Sequence, residues 1–233
     1  MNFSVFFRCF GLPMFVAFFI ASAAAQAPRE MVPIDPPQPV ENDGRIEVLE
    51  FFAYGCIHCA NLEPRLAEWI ARQPADVKVK RIPAAFAVRG IDTPPIFYTL
   101  EAMGLQEKLH QKLFDAANLE NVMLGNPAVL NKWLEKQGVD PKKYEELQRS
   151  FSVQTKIARA RKMSSDYKIQ STPTMTVNGR FLLEGGSERL FSNIDQLIAD
   201  ARGAAKTAAA PAKPALTVTP AAPVAPAAAA KKK

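Results

Sequence analysis

The chain is poor in the residues that build metal sites and covalent staples. Among 233 residues there are 3 cysteines and 2 histidines. No second cysteine pair exists, so a zinc site would need Cys56, Cys59, His58 or His110 plus carboxylates. His58 sits between the two cysteines and is poorly placed to join them on one metal. Long apolar runs are missing too. The run from Phe10 to Ile20 has 11 residues, short of the roughly 20 that a membrane-spanning helix needs. The body also lacks net charge. With Arg8 and the five lysines beyond Gly203 set aside, 23 basic residues face 23 acidic ones. The formal charge of +6 therefore comes mainly from the tail, and no basic face for nucleic acid is evident. The chain shows no internal repeat.

What is present begins with a leader. Arg8 precedes the apolar run and small residues follow it, the layout of a secretory signal peptide over residues 1–25, cleaved after Ala23 or Ala25. The competing reading is an anchoring membrane helix. Cys9 lies too early to be a lipid-attached cysteine at the cleavage point and is expected to leave with the leader. The mature chain then keeps Cys56 and Cys59 and enters an exported, oxidising compartment, where neighbouring thiols persist as a disulfide. A disulfide closing so short a loop adds little chain-entropy stabilisation. The pair therefore reads as chemical; a metal site or an inert disulfide stays as the alternative.

About 175 residues remain for the body, enough for one packed domain. Residues 26–44 carry five prolines and read as an extended N-terminal arm. "RIEVLEFFA" (45–53) fits a central strand covered on both faces. From Cys56 the pattern turns helical, with Leu62, Leu66, Trp69 and Ile70 on one stripe and a kink expected at Pro64. "VKVKRIPAAF" (77–86) alternates as a second strand, giving a right-handed βαβ unit with parallel strands. Then come about 75 residues with helical signals only. Thr93, Asn126 and Asp140 stand before prolines as N-caps, and Gly138 as a C-cap. A long helix is expected from about Ser152 to Tyr167. Strands return at "PTMTVNGRFLLEG", where Asn178–Gly179 signals a hairpin. A last amphipathic helix is expected to end at Gly203. Residues 203–233 hold 14 Ala, 5 Pro and 5 Lys without an aromatic residue, a composition that buries too little to order itself.

A thiolate attacks disulfides, so a working cysteine needs a depressed pKa. Cys56 lies where a helix begins, and unpaired N–H groups with the helix dipole favour an anion there. His58 is close enough to donate a hydrogen bond or positive charge, and Cys59, one turn on, can share its S–H. Cys56 is thus expected as the attacking sulfur and Cys59 as the deeper one that resolves the exchange.

"VLEFFAYGCIHC" followed by "STPTMTVNGRF" resembles the DsbA family of periplasmic thiol–disulfide oxidoreductases over residues 45–202. The resemblance implies an α/β class with a thioredoxin-like fold and an inserted α-helical domain, here about 92–152. It implies that Cys56 is the nucleophile, Cys59 its partner, and His58 the dipeptide histidine that stabilises the thiolate. Ile57 departs from the proline common at that position. Pro173, which sequence alone would read as a trans turn residue, matches a cis-proline facing the active-site disulfide. Thr172 before it then offers its backbone to an extended substrate. Glu50 matches a carboxylate buried beneath the cysteines, where it would exchange protons with Cys59. The plainer alternative is a strand-end glutamate reaching solvent, since a lone buried charge is costly. His110, beside Leu109 and Leu113, reads as surface or core packing.

The activity implied is dithiol oxidation of newly exported proteins through a mixed disulfide on Cys56, by a monomer with no metal or organic cofactor. Reoxidation is implied to come from a membrane quinone-linked partner resembling DsbB. Two rivals stand beside it. An isomerase or reductase of the same fold is favoured by Thr172 and Ile57, although such relatives carry an N-terminal dimerisation domain and only about 20 residues precede the first strand here. A non-enzymatic binding or chaperone module with a passive disulfide is the other.

Overall fold

The computed structural model describes residues 31–41 and 43–209, with side chains to residue 205. The expected leader and the tail beyond residue 209 lie outside the described residues. A five-stranded sheet has the order β1-β5-β4-β2-β3. Its strands are β1 (Val32–Pro33), β2 (Ile46–Phe52), β3 (Val77–Pro83), β4 (Thr174–Val177) and β5 (Phe181–Glu184). β2 pairs parallel with β3, with Glu50 opposite Arg81, and antiparallel with β4, with Glu50 opposite Met175. The helices are α1 (Ile57–Ala71), α2 (Thr93–Ala102), α3 (Gln106–Asn118), α4 (Pro127–Lys136), α5 (Pro141–Arg149), α6 (Phe151–Asp166) and α7 (Leu190–Ala209).

The expected strand, helix, strand unit is β2–α1–β3, and the helices that follow it are α2 to α6. Side chains on a strand alternate between faces, so β2 serves two cores. Val48 packs with Leu62, Leu66 and Trp69 of α1 and Ile194 and Ile198 of α7. Leu49 and Phe51 join a larger core with Phe97, Leu100, Leu113, Phe114 and Ile157 of the inserted helices. Glu50 shares a face with Val48 and is fully buried. That places a carboxylate in the sheet directly below the start of α1.

Local signals act as their chemistry dictates. Asn126 and Asp140 accept backbone N–H bonds at the starts of α4 and α5. Gly138 follows α4 at φ +81°, and Asn178 and Gly179 at φ +51° and +63° turn β4 into β5. α1 runs through Pro64 without interruption. Two expectations fail. Thr93 does not cap α2: the cap residue is Asp92, with no side-chain bond. The buried Thr93 hydroxyl instead accepts the N–H of Tyr54 at 3.1 Å, since a buried donor left unpaired costs more than a bare helix end. Gly203 does not end α7, which continues to Ala209, because the alanines around it are strong helix formers and one glycine costs only about 1 kcal/mol. Among the described residues no helix is long and apolar enough to cross a membrane.

Candidate active site

β2 ends at Phe52 and the chain turns through Ala53–Gly55 into α1. The turn is held on three sides. Cys56 N–H donates to Ala53 O at 3.0 Å. Tyr54 N–H is bound by Thr93, and Tyr54 O accepts Asn118 Nδ2 at 2.8 Å. Gly55 lies so close to the segment after β3 that a Cβ would sit 2.2 Å from Val88 O, so only glycine fits there.

Cys56 is the N-cap of α1, and its sulfur accepts the Cys59 N–H at 3.4 Å. No acidic residue occupies the first turn to offset the dipole. Both cysteines are free thiols, yet their surroundings push them in opposite directions. The Cys59 thiol's hydrogen bond draws the Cys56 pKa down to about 5 from the ordinary 9; the Thr172 side chain and the N–H groups of Cys59 and His58 assist, against burial. The same sulfur–sulfur bond, then burial and the adjacent Cys56 charge, push Cys59 far up. Cys56 is 7% exposed and Cys59 0%, so the sulfur that ionises is also the one a partner can reach.

His58 places only its backbone N–H toward the sulfur. Its ring is exposed and makes no hydrogen bond to Cys56. Ile57 is exposed as well, at 41%. The Thr172–Pro173 bond is cis, and Thr172 O lies 3.2 Å from Cys56 Sγ. Glu50 is not a strand-end residue in solvent. Burial first, then repulsion from Glu63, raises its pKa to about 8 from 4.5, although Arg81 opposes. Cys56 adds to that rise, and Glu50 in turn raises Cys59.

A buried polar layer under the turn escaped the sequence reading. Arg81 binds Glu63 Oε1 through its guanidinium and stands 3.6 Å from Glu50 Oε2. His110 is core, only 3% exposed, but not plain packing, since it meets Tyr54 Oη at 3.1 Å and Glu63 Oε2 at 3.4 Å. Burial alone would raise Glu63, but donors from His110 and Arg81 outweigh it and hold it below the usual carboxylate range. Two signals were available in the sequence. Glu63 falls four residues after Cys59, on the buried stripe of α1, and Arg81 breaks the alternation of "VKVKRIP".

A low-pKa cysteine at a helix N-cap, a buried partner thiol one turn on and a cis-proline loop opposite define a thiol–disulfide oxidoreductase of thioredoxin-like fold. Comparison with known proteins agrees. The DSBA-like thioredoxin domain model matches residues 91–194. The thiol:disulfide interchange protein DsbA of Bordetella parapertussis is 36% identical over 189 residues, 79% of this chain and 90% of that protein. The crystal structure of Pseudomonas aeruginosa DsbA superposes with a TM-score of 0.70 at 36% identity, covering 76% of this chain and 94% of that one. The Neisseria meningitidis oxidoreductase NmDsbA1 gives 0.67 at 27% identity, with 79% and 97% covered. The chain belongs to the DsbA family of thiol:disulfide interchange proteins.

Proposed function

We propose that this enzyme oxidises newly exported proteins in the periplasm, its leader being removed on export, and that it acts as a monomer. In the oxidised state a substrate thiolate attacks Cys56 of the Cys56–Cys59 disulfide. The S–S bond breaks, Cys59 leaves as a thiolate and takes a proton, and a mixed disulfide forms on Cys56. A second substrate thiolate then attacks the substrate sulfur of that bond. The substrate leaves as a disulfide, Cys56 leaves as a thiolate, and two electrons stay on the enzyme. A quinone-linked membrane oxidase resembling DsbB removes them.

The observation that carries this reading is the opposite bias on the two sulfurs. A thiolate favoured at Cys56 makes it a good leaving group from the mixed disulfide and makes the reduced enzyme the stable one, which is what a donor of disulfides needs. Thr172 supports substrate docking. Its carbonyl meets only the Cys56 sulfur and its N–H takes no backbone partner, so an extended peptide can pair there as an added strand. Ile57 gives that peptide an apolar contact beside the sulfur. His58 supplies its backbone N–H to the Cys56 sulfur. Glu50 holds the proton that Cys59 takes up. Trapping tests the assignment: Cys59→Ala is expected to accumulate mixed disulfides with exported proteins through Cys56, and complexes that persist instead in Cys56→Ala reverse the roles.

A further inference from the structure

Two buried carboxylates, Glu50 and Glu63, share one guanidinium, and something must decide which of them keeps the negative charge. Arg81 leans toward Glu63, which it hydrogen-bonds, and stands 3.6 Å from Glu50. The helical insertion adds to that asymmetry through His110. Glu63 has Arg81 on Oε1, and His110 Nε2 lies 3.4 Å from Oε2 as a close polar contact short of hydrogen-bond geometry; among the described residues neither of those two atoms has a hydrogen-bond partner. Among the described residues neither oxygen of Glu50 has a hydrogen-bond donor.

The tautomer of His110 follows from its two neighbours. Tyr54 is fully buried, and that burial pushes its hydroxyl's pKa well above the ordinary value, so the hydroxyl keeps its proton. Its polar neighbour is His110 Nδ1 at 3.1 Å. If Nδ1 carried the only ring proton, a bare lone pair on Nε2 would face the Glu63 carboxylate. With Tyr54 donating to Nδ1, the proton sits on Nε2, the ring nitrogen that lies 3.4 Å from Glu63 Oε2. The ring itself is wedged edge-on among Phe52, Phe97 and Phe114, which fixes its plane.

We propose that His110 is a positioning residue that pins the negative charge on Glu63 and thereby leaves the exchangeable proton on Glu50, the carboxyl nearer the cysteines' chemistry. His110 meets Tyr54 from the turn and Glu63 from α1; around those two lie Arg81 from β3, Glu50 from β2, Glu107 from α3 and Tyr144 from α5. Removing the Nε2 donor destabilises both states in which Glu63 is ionised. The proton is then shared with Glu63, one turn beyond Cys59, and less of it waits on Glu50. The proposal rests on Glu50 as the proton carrier, so its test must separate the two.

Carboxyl-carbon NMR titration of the full chain labelled in glutamate reads each group. In wild type Glu50 is expected to titrate near 8 and Glu63 below the usual carboxylate range. In His110→Phe the Glu63 midpoint rises by about one unit or more, a tenfold or greater gain in proton affinity, and the Glu50 curve loses its single step. His110→Gln, which keeps an amide donor, restores most of the wild-type behaviour. Tyr54→Phe, which frees the tautomer but keeps the imidazole, gives the same direction with a smaller shift and serves if the Phe variant folds poorly. Unchanged Glu63 titration in both His110→Phe and Tyr54→Phe overturns the proposal. Thiol-exchange rates of Glu50→Gln from pH 5 to 8 test the reading beneath it. Rates equal to wild type there sink Glu50 as the carrier, whatever the NMR shows for His110.

Discussion

The sheet with α1 and the helical insertion contribute to the site in different ways. On the proposed function the first supplies the reacting groups, Cys56 and Cys59 at the start of α1 and Glu50 on β2, and the Thr172–Pro173 loop before β4 that docks substrate. The second supplies none, yet three of its side chains grip the turn that carries Cys56. Thr93 takes the Tyr54 N–H, Asn118 takes the Tyr54 carbonyl, and His110 takes the Tyr54 hydroxyl. A turn buried between two cores cannot use water for its backbone groups, so its partners must come from the packed neighbour. The insertion is therefore a support for the active-site turn, and chemistry and support can be perturbed separately.

The largest expected effect lies on the chemical side. Glu50 has a folded-state pKa of about 8 against an ordinary 4.5. Such a raised group supports the fold fully below pH 4.5, and that support is lost as pH rises through 8. Glu50→Gln removes the penalty, so its stability gain over wild type grows from near zero at pH 4 to on the order of 4 kcal/mol by pH 8. Denaturant unfolding at a series of pH values checks this. A difference independent of pH means that Glu50 is not ionising inside the fold.

A smaller effect is expected on the supporting side. Asn118→Ala leaves the buried Tyr54 carbonyl without its donor and costs about 1–2 kcal/mol, measured by the same unfolding. The Cys56 ionisation midpoint is expected to stay within about half a unit of wild type. A larger shift breaks the comparison, because the insertion would then be setting the chemistry as well as holding the turn.

This division also explains what could be read in advance. The strand–helix–strand unit, the Asn126 and Asp140 caps and the Asn178–Gly179 hairpin rest on local rules, and a one-dimensional pattern carries those rules. Cys56 at a helix start was legible for the same reason. The polar layer was not, because it joins β3, α1 and α3 through contacts 18 to 56 residues apart. His110 shows the difficulty well. Flanked by leucines on an apolar face, it looked like packing, and only the tertiary fold brings Tyr54 and Glu63 to its two nitrogens. Thr93 misled for a related reason. A threonine before proline is a sound cap signal, but the buried N–H of a residue 39 positions away had the stronger demand for its hydroxyl.

The central claim is that the start of α1 makes one sulfur an anion and keeps the other a thiol. Ultraviolet thiolate absorbance of the reduced enzyme against pH, in wild type and in Cys59→Ala, measures it directly. The wild-type chain is expected to show one thiolate forming with a midpoint about 5 and no second thiolate through the ordinary thiol range. In Cys59→Ala the midpoint is expected to rise, because the largest stabiliser of the Cys56 anion is gone. Two thiolates forming together near the ordinary value of 9, with no response to Cys59→Ala, would contradict the account.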